Sequence, residues 1–194
     1  MNMESVKHEG IFRSAHEAVV FACNYAAQQY AMSPMAKLLQ RGSSGSGRGL
    51  IGLDGAAQSG MVLAELGNID YVQMLVLVAR CAPRKERCEC NHSCCGGWKP
   101  NPLYRDAVSQ LSDLVIPALG GVFTLRRFRL AAIEKYFGEK LKMKDVAADL
   151  NIPPRTAERH ASIINAYLKD TEKTAWTEWY GQLDVAGMLF SQNA

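Results

Sequence analysis

Five of the chain's six cysteines fall between positions 81 and 95, inside the stretch CAPRKERCECNHSCCGGWKPNP (81–102). A segment this charged and this rich in Gly and Pro is too polar to pack itself. The N-terminus, MNMESVKHEGIFRSAHEAVV, carries charges throughout and has no early apolar core, so it does not read as a signal peptide. The longest apolar run, MLVLVA at 74–79, is far short of a membrane span. The expectation is a soluble, cytoplasmic protein, a setting in which thiols stay reduced and clustered cysteines favour a metal over disulfides.

Cys88-x-Cys90-x3-Cys94-Cys95 offers four thiolates within eight residues. Zn²⁺ takes four sulfur or nitrogen ligands in a tetrahedron, and a short loop can wrap one ion if its backbone turns sharply. Asn91, Gly96 and Gly97 permit such turns. Arg84, Lys85, Arg87 and Lys99 would offset the negative charge of a four-thiolate site. Cys81 and His92 are reserve ligands. A catalytic zinc would want an open position and a nearby general base. Only Glu86 and Glu89 are local, and both read as solvated, so a structural zinc is the expectation. The competing reading is a reduced or redox-active loop. Cys23, and Cys81 at the end of an apolar helix, read as buried, unreactive thiols.

The 194 residues are 48% hydrophobic, enough for one large or two small domains with a core that needs no disulfides. The net charge of +3 is unevenly spread. Residues 1–81 balance. The segment 82–105 carries five basic and two acidic groups, and 122–169 carries ten basic and five acidic groups. The tail from Asp170 is acidic. Positive charge gathered in a loop and in one later block suits a polyanion such as DNA.

The pattern predicts a nearly all-α fold. Ser14 with Glu17 three places on forms a capping box for a helix over 14–31. A short helix runs from Ser33-Pro34 to Leu39, and GSSGSGRGLIG (42–52) is a flexible linker by composition. Asp54 caps a helix over 55–66, and a uniformly apolar helix covers 69–81. Helices are expected over 103–118, 124–137, 143–150, 154–169 and 171–183, and no segment alternates like a strand pair. The organisation is a helical N-terminal region (1–81), a basic cysteine loop (82–102) and a helical domain (103–194).

Within that last part, MKDVAADLNIPPRTAERHASIINAYL (143–168) fits a helix-turn-helix. Val146, Leu150 and Ile152 are apolar where two crossed helices interdigitate, and Ala147 is small where the second approaches. Asn151 tolerates the left-handed conformation of the turn, and Pro153-Pro154 end one helix and start the next. Ala157, Ile163 and Ile164 face inward. That leaves Arg155, Thr156, Glu158, Arg159 and His160 on the half of the second helix that reaches base edges. Arg155 and Arg159 are candidates to read guanine; Thr156 and Lys144 are candidates to hold phosphates. The bland alternative is a helical hairpin with a solvated basic face. Arg126, Arg127 and Arg129 in LRRFR (125–129) could support DNA contact, meet an acidic partner, or be solvated. Trp176, Trp179 and Tyr180 read as core packing, with an interaction face as the alternative. No P-loop, dinucleotide fingerprint or carboxylate cluster marks an enzyme or a small-molecule substrate.

GLDGAAQSGM (52–61), a cysteine loop followed by KPNP, and a later helix-turn-helix occur here in an order that resembles the phage Q-type transcription antiterminators, closest to the AlpA-type antiterminators of bacterial programmed-lysis loci. The similarity covers roughly residues 50–170. It implies a factor that binds a promoter-proximal element of double-stranded DNA and loads onto RNA polymerase paused with its sigma factor. Such a factor then travels with the enzyme, so that terminators are read through and downstream lysis or late genes are expressed. Residues 154–160 would read the element. The basic loop and the face with Arg126, Arg127 and Arg129 would be candidates for polymerase or nucleic-acid contact. The alternatives are a conventional zinc-containing helix-turn-helix activator or repressor, and a recombination factor or enzyme.

Overall fold

The computed structural model describes residues 10–30, 53–88, 90, 95–120 and 124–190. The expected helix over 33–39, the linker 42–52, and Glu89, His92 and Cys94 lie outside the described residues. Among the described residues there are seven α-helices: α1 (Ala15–Tyr30), α2 (Leu53–Leu66), α3 (Tyr71–Cys81), α4 (Pro102–Leu114), α5 (Arg126–Tyr136), α6 (Met143–Asp149) and α7 (Pro154–Val185). Two three-residue strands, β1 (Lys85–Arg87) and β2 (Trp98–Pro100), pair antiparallel between α3 and α4. The chain is therefore mainly α.

The helix α3 is the axis of the core. Asp70 caps it by accepting from the backbone N–H groups of Val72 and Gln73 at 2.9 and 3.3 Å. Leu75 to Ala79 are all buried, as a uniformly apolar run requires. α1, α4 and α7 pack around it. The capping box of α1 is present: the N–H of Glu17 donates to Ser14 Oγ, and Glu17 Oε2 accepts from the N–H of Arg13. Buried side chains from Phe12 to Leu189 form one contiguous cluster, so the core runs across the composition boundaries at 81 and 103.

Three sequence expectations are corrected. The helices expected over 154–169 and 171–183 are one helix of 32 residues, about 48 Å long. Between Pro154 and Gly181 no Gly or Pro interrupts it, and Thr171, Thr174 and Thr177 turn their hydroxyls back onto carbonyls four residues earlier. Ala157, His160, Ile164, Leu168, Ala175, Trp179 and Leu183 carry its buried stripe from end to end. The helix expected over 103–118 stops at Leu114, because Pro117 opens a separate 3₁₀ turn over Pro117–Leu119. A hairpin exists where no strand pair was expected. Its strands, KER and WKP, show no apolar alternation; the turn that precedes β2 and a buried Glu86 hold it instead.

The two ends of the described chain are clasped. The N–H groups of Ile11 and Phe12 donate to the Met188 carbonyl, and that of Phe190 donates to the Phe12 carbonyl. A Cβ on Gly10 would lie 2.0 Å from the Leu189 backbone, so only glycine fits there. Trp179, fully buried, donates its indole N–H to the Ala15 carbonyl at 3.0 Å.

Candidate metal centre and basic helix face

The hairpin is held at its base by Asn101, which is 1% exposed. Its backbone N–H donates to the Arg84 carbonyl, its amide donates to the Pro83 carbonyl at 2.7 Å, and its Oδ1 accepts from the Leu103 N–H. One side chain thus ties the end of α3 to the start of α4 and fixes the direction in which the hairpin projects. Beyond the paired strands, the Cys88 N–H donates to the Gly97 carbonyl at 2.9 Å. Gly96 and Gly97 follow with φ of 54° and 81°, a pair of left-handed residues that only glycine adopts in succession without strain.

That turn brings three thiols together. The Sγ atoms of Cys88, Cys90 and Cys95 lie within 4.8 Å of one another, and those of Cys90 and Cys95 are 3.2 Å apart. Sulfurs around a tetrahedral ion with bonds of about 2.3 Å stand about 3.8 Å apart, so small movements seat three ligands on one metal. The three cysteines could hold a metal ion. Cys94, the fourth expected ligand, and His92, a reserve ligand, are outside the described residues. Cys81 is buried at the end of α3, and burial pushes its thiol up to about 12. Cys23 is likewise buried and pushed up to about 12. Both are core thiols, as their sequence contexts indicate.

Glu86, expected to be solvated, is 5% exposed. Its Oε1 meets Lys99 Nζ at 2.9 Å, while Oε2 has no hydrogen-bond partner. The reason is register: Glu86 faces Lys99 directly across the hairpin, on the inner side.

The second candidate region is the junction of α6 and α7. Asn151 has φ of 53°. The Ile152 N–H donates to the Ala147 carbonyl and the Asn151 N–H to the Ala148 carbonyl, at 2.8 and 3.1 Å. These two bonds close α6 with a Schellman motif, in which Asn takes the usual glycine position. Ala147, Ala157 and Ile164 are buried; Val146, Leu150, Ile152 and Ile163 are half-buried. Lys144, Arg155 and Arg159 are exposed, and Thr156 is half-buried. Among the described residues these three cations have no ion-pair partner.

His160 departs from the expected reading surface. It is 4% exposed and meets the Phe128 ring edge-on, with ring centres 6.3 Å apart. Burial, with a smaller contribution from the Arg159 charge, lowers its pKa. At position 160 the helix has turned inward, so His160 belongs to the core stripe and joins α7 to α5.

The arginines of α5 are also reassigned. Arg129 is 7% exposed. It donates to the carbonyls of Ser112 and Thr124, both at 2.6 Å, and meets Asp113 at 3.5 Å. Arg126 meets the same carboxylate at 3.2 Å and donates to Ser109 Oγ. Hydrogen bonding from Arg126 is the main reason the Asp113 carboxyl lies below its ordinary pKa. These two side chains fasten α5 to the end of α4. Arg127 alone of the three is exposed with no ion pair among the described residues.

A network that sequence reasoning missed lies between α3 and α7. Arg80 forms a two-pronged pair with Glu172 at 2.7 and 2.8 Å, across 92 positions of sequence. Tyr136 donates to the same carboxylate at 2.6 Å, and the guanidinium lies over the Tyr136 and Phe137 rings. No spacing in the sequence signals it. Trp176 is half-buried beside His16, and Tyr180 is exposed, so only Trp179 of that aromatic set is wholly core.

The chain matches no family model, no curated protein and no solved structure. Among the described residues no helix is long and apolar enough to cross a membrane.

Proposed function

We propose that the chain is a cytoplasmic, sequence-specific DNA-binding transcription antitermination factor. On this reading α6 and α7 form a helix-turn-helix whose second helix enters the major groove. Arg155 and Arg159 read base edges, while Lys144 and Thr156 hold phosphates. The observation that carries the reading is the exposed set Lys144, Arg155 and Arg159 at one turn, without ion-pair partners among the described residues, whereas Arg80, Arg84, Arg126 and Arg129 are held by carboxylates. The metal is Zn²⁺ in a structural role, with Cys88, Cys90 and Cys95 as three ligands and Cys94 as the fourth. The partners are a promoter-proximal duplex and bacterial RNA polymerase with its sigma factor; Arg127 and the basic hairpin are the surfaces left for polymerase or nucleic-acid contact. The antitermination step itself rests on the order of sequence elements described above.

Read-through of a terminator in a purified transcription system tests the mechanism. Read-through should rise when the chain is added to polymerase on a template bearing its promoter. Promoter binding without a rise identifies an ordinary activator or repressor instead. Arg159→Ala should lose about 1–3 kcal/mol of discrimination between cognate and mutated duplexes, whereas Lys144→Ala should weaken all duplexes alike. Equal losses in both variants would remove the assigned roles. Native mass spectrometry should find one zinc per chain; an apo mass with free loop thiols would remove the metal.

A further inference from the structure

The cross-strand register sorts the hairpin into two faces. Directly opposed residues of an antiparallel pair project to the same side. Glu86 and Lys99 share the inner side, where Glu86 is buried. Lys85 faces Pro100 and Arg87 faces Trp98, and all four are exposed on the outer side. Trp98 is 52% exposed, in a chain whose other two tryptophans are buried or half-buried. Its indole stands among exposed cations rather than in the core. Lys85 and Arg87 have no ion-pair partner among the described residues, and no acidic side chain occupies the outer face of the paired strands.

Neighbouring cations are already committed. An open cleft of about 550 Å³ adjoins the hairpin, with Arg80, Arg84, Lys85 and Glu139 as its charged walls. Arg80 is held by Glu172, and Arg84 by Glu139 and the Phe137 carbonyl. Among the described residues the charges left without an ion pair here are Lys85 and Arg87, about 6.6 Å apart along the strand, with the indole beside Arg87.

We propose that this outer face binds single-stranded nucleic acid, with one base stacked on Trp98 and neighbouring phosphates on Lys85 and Arg87. A flat, solvent-facing indole needs a partner with an uncovered aromatic face. Unpaired bases offer one, whereas the faces of bases inside a duplex are already stacked. Two unneutralised cations beside the ring match the charge of the backbone that carries the base. None of Lys85, Arg87 and Trp98 belongs to α6 or α7, so the proposal stands or falls independently of duplex recognition.

The test is fluorescence anisotropy on the full chain, with labelled 12-nucleotide oligo(U), oligo(dT) and a 12-base-pair duplex as probes. Trp98→Ala should weaken both oligomers by roughly 5- to 150-fold, the range of one lost stacking contact, and leave the duplex unaffected. The double variant Lys85→Ala/Arg87→Ala should lower the salt slope for the oligomers by about 1.4, the value for two lost phosphate contacts. Arg155→Ala/Arg159→Ala should do the reverse, losing duplex and keeping oligomer. A preference for oligo(U) assigns the ligand as RNA, and one for oligo(dT) as DNA. The proposal is overturned if neither oligomer binds the wild-type chain, or if Trp98→Ala binds them as tightly as wild type. It is also overturned if that variant keeps oligomer binding but loses terminator read-through, which would make the face a protein dock. Helical circular dichroism checks the fold. If Trp98→Ala unfolds, Trp98→Phe decides in its place: it must keep binding within about 3-fold, since the phenyl ring still stacks, and Arg87→Ala must weaken it.

Discussion

At the residue scale, the ionisable side chains divide by what the fold has done with them. His160 looks like a base reader from its place in the helix, yet it is enclosed and has a lowered pKa. A histidine whose folded pKa is lowered binds fewer protons folded than unfolded in the window just below its ordinary pKa of about 6.5. Stability should therefore fall as pH drops through about 6.5, until the folded form also protonates. Urea midpoints at pH 7.5 and 5.5 should show that loss in wild type and a smaller one in His160→Leu. Glu172 behaves differently. Burial pushes its carboxyl up, but hydrogen bonds from Arg80 and Tyr136, aided by the Arg80 charge, outweigh it and hold the pKa below its ordinary value. A lowered carboxylate contributes stability above its unfolded pKa of about 4.3 and loses it as pH falls through the folded pKa. Glu172→Gln should cost about 1–2 kcal/mol at pH 7, discounted because Arg80 is about a third exposed. Wild type and variant should converge in denaturant titrations once the pH lies below that lowered folded pKa.

At the element scale, helix ends carry most of the legible information. Ser14 with Glu17 caps as the sequence indicates. Asp54, read as a cap, lies inside α2, which begins at Leu53, while Asp70 and Asn101 cap where no cap was read. Asn151 at a left-handed turn is likewise readable, because few residues tolerate that backbone. Asn151→Ala should destabilise by about 1 kcal/mol and Asn151→Gly by much less, as thermal unfolding can measure. The element that sequence reasoning overlooks is the hairpin. Its strands are short and polar, so hydrophobic alternation has nothing to report; two consecutive left-handed glycines and a cross-strand Glu86–Lys99 pair make it. The same reasoning expected a break near Asp170. A polar residue in a helix signals an end only when its side chain competes with the backbone, and the continuous stripe from Ala157 to Leu183 overrides any such signal.

At the scale of the whole molecule, the clasp between Phe12 and Leu189 closes the described chain on itself. α7 then spans the protein, with the unpaired arginines near one end and the buried Trp179 near the other. Gly10→Ala should be among the more damaging small substitutions, costing about 1–3 kcal/mol, because the added carbon meets Leu189 backbone at 2.0 Å. A lowered melting temperature with unchanged oligomer binding by the hairpin would place the damage in the clasp. An unchanged melting temperature would show that the ends are not joined as described.

The linear order of residues by itself determined the helical class, the capping box at Ser14, the left-handed Asn151 and the gathering of thiols in one polar loop, because these depend on neighbours a few positions apart. Which charges remain free was decided only by tertiary packing. Arg80 finds Glu172 across 92 positions, Arg129 is drawn beneath α4, and His160 turns inward, while among the described residues Arg155, Arg159, Lys85 and Arg87 meet no carboxylate. A long side chain with a fixed charge binds whatever partner the fold brings within reach, and that partner is set by how the helices pack rather than by the spacing of residues along the chain.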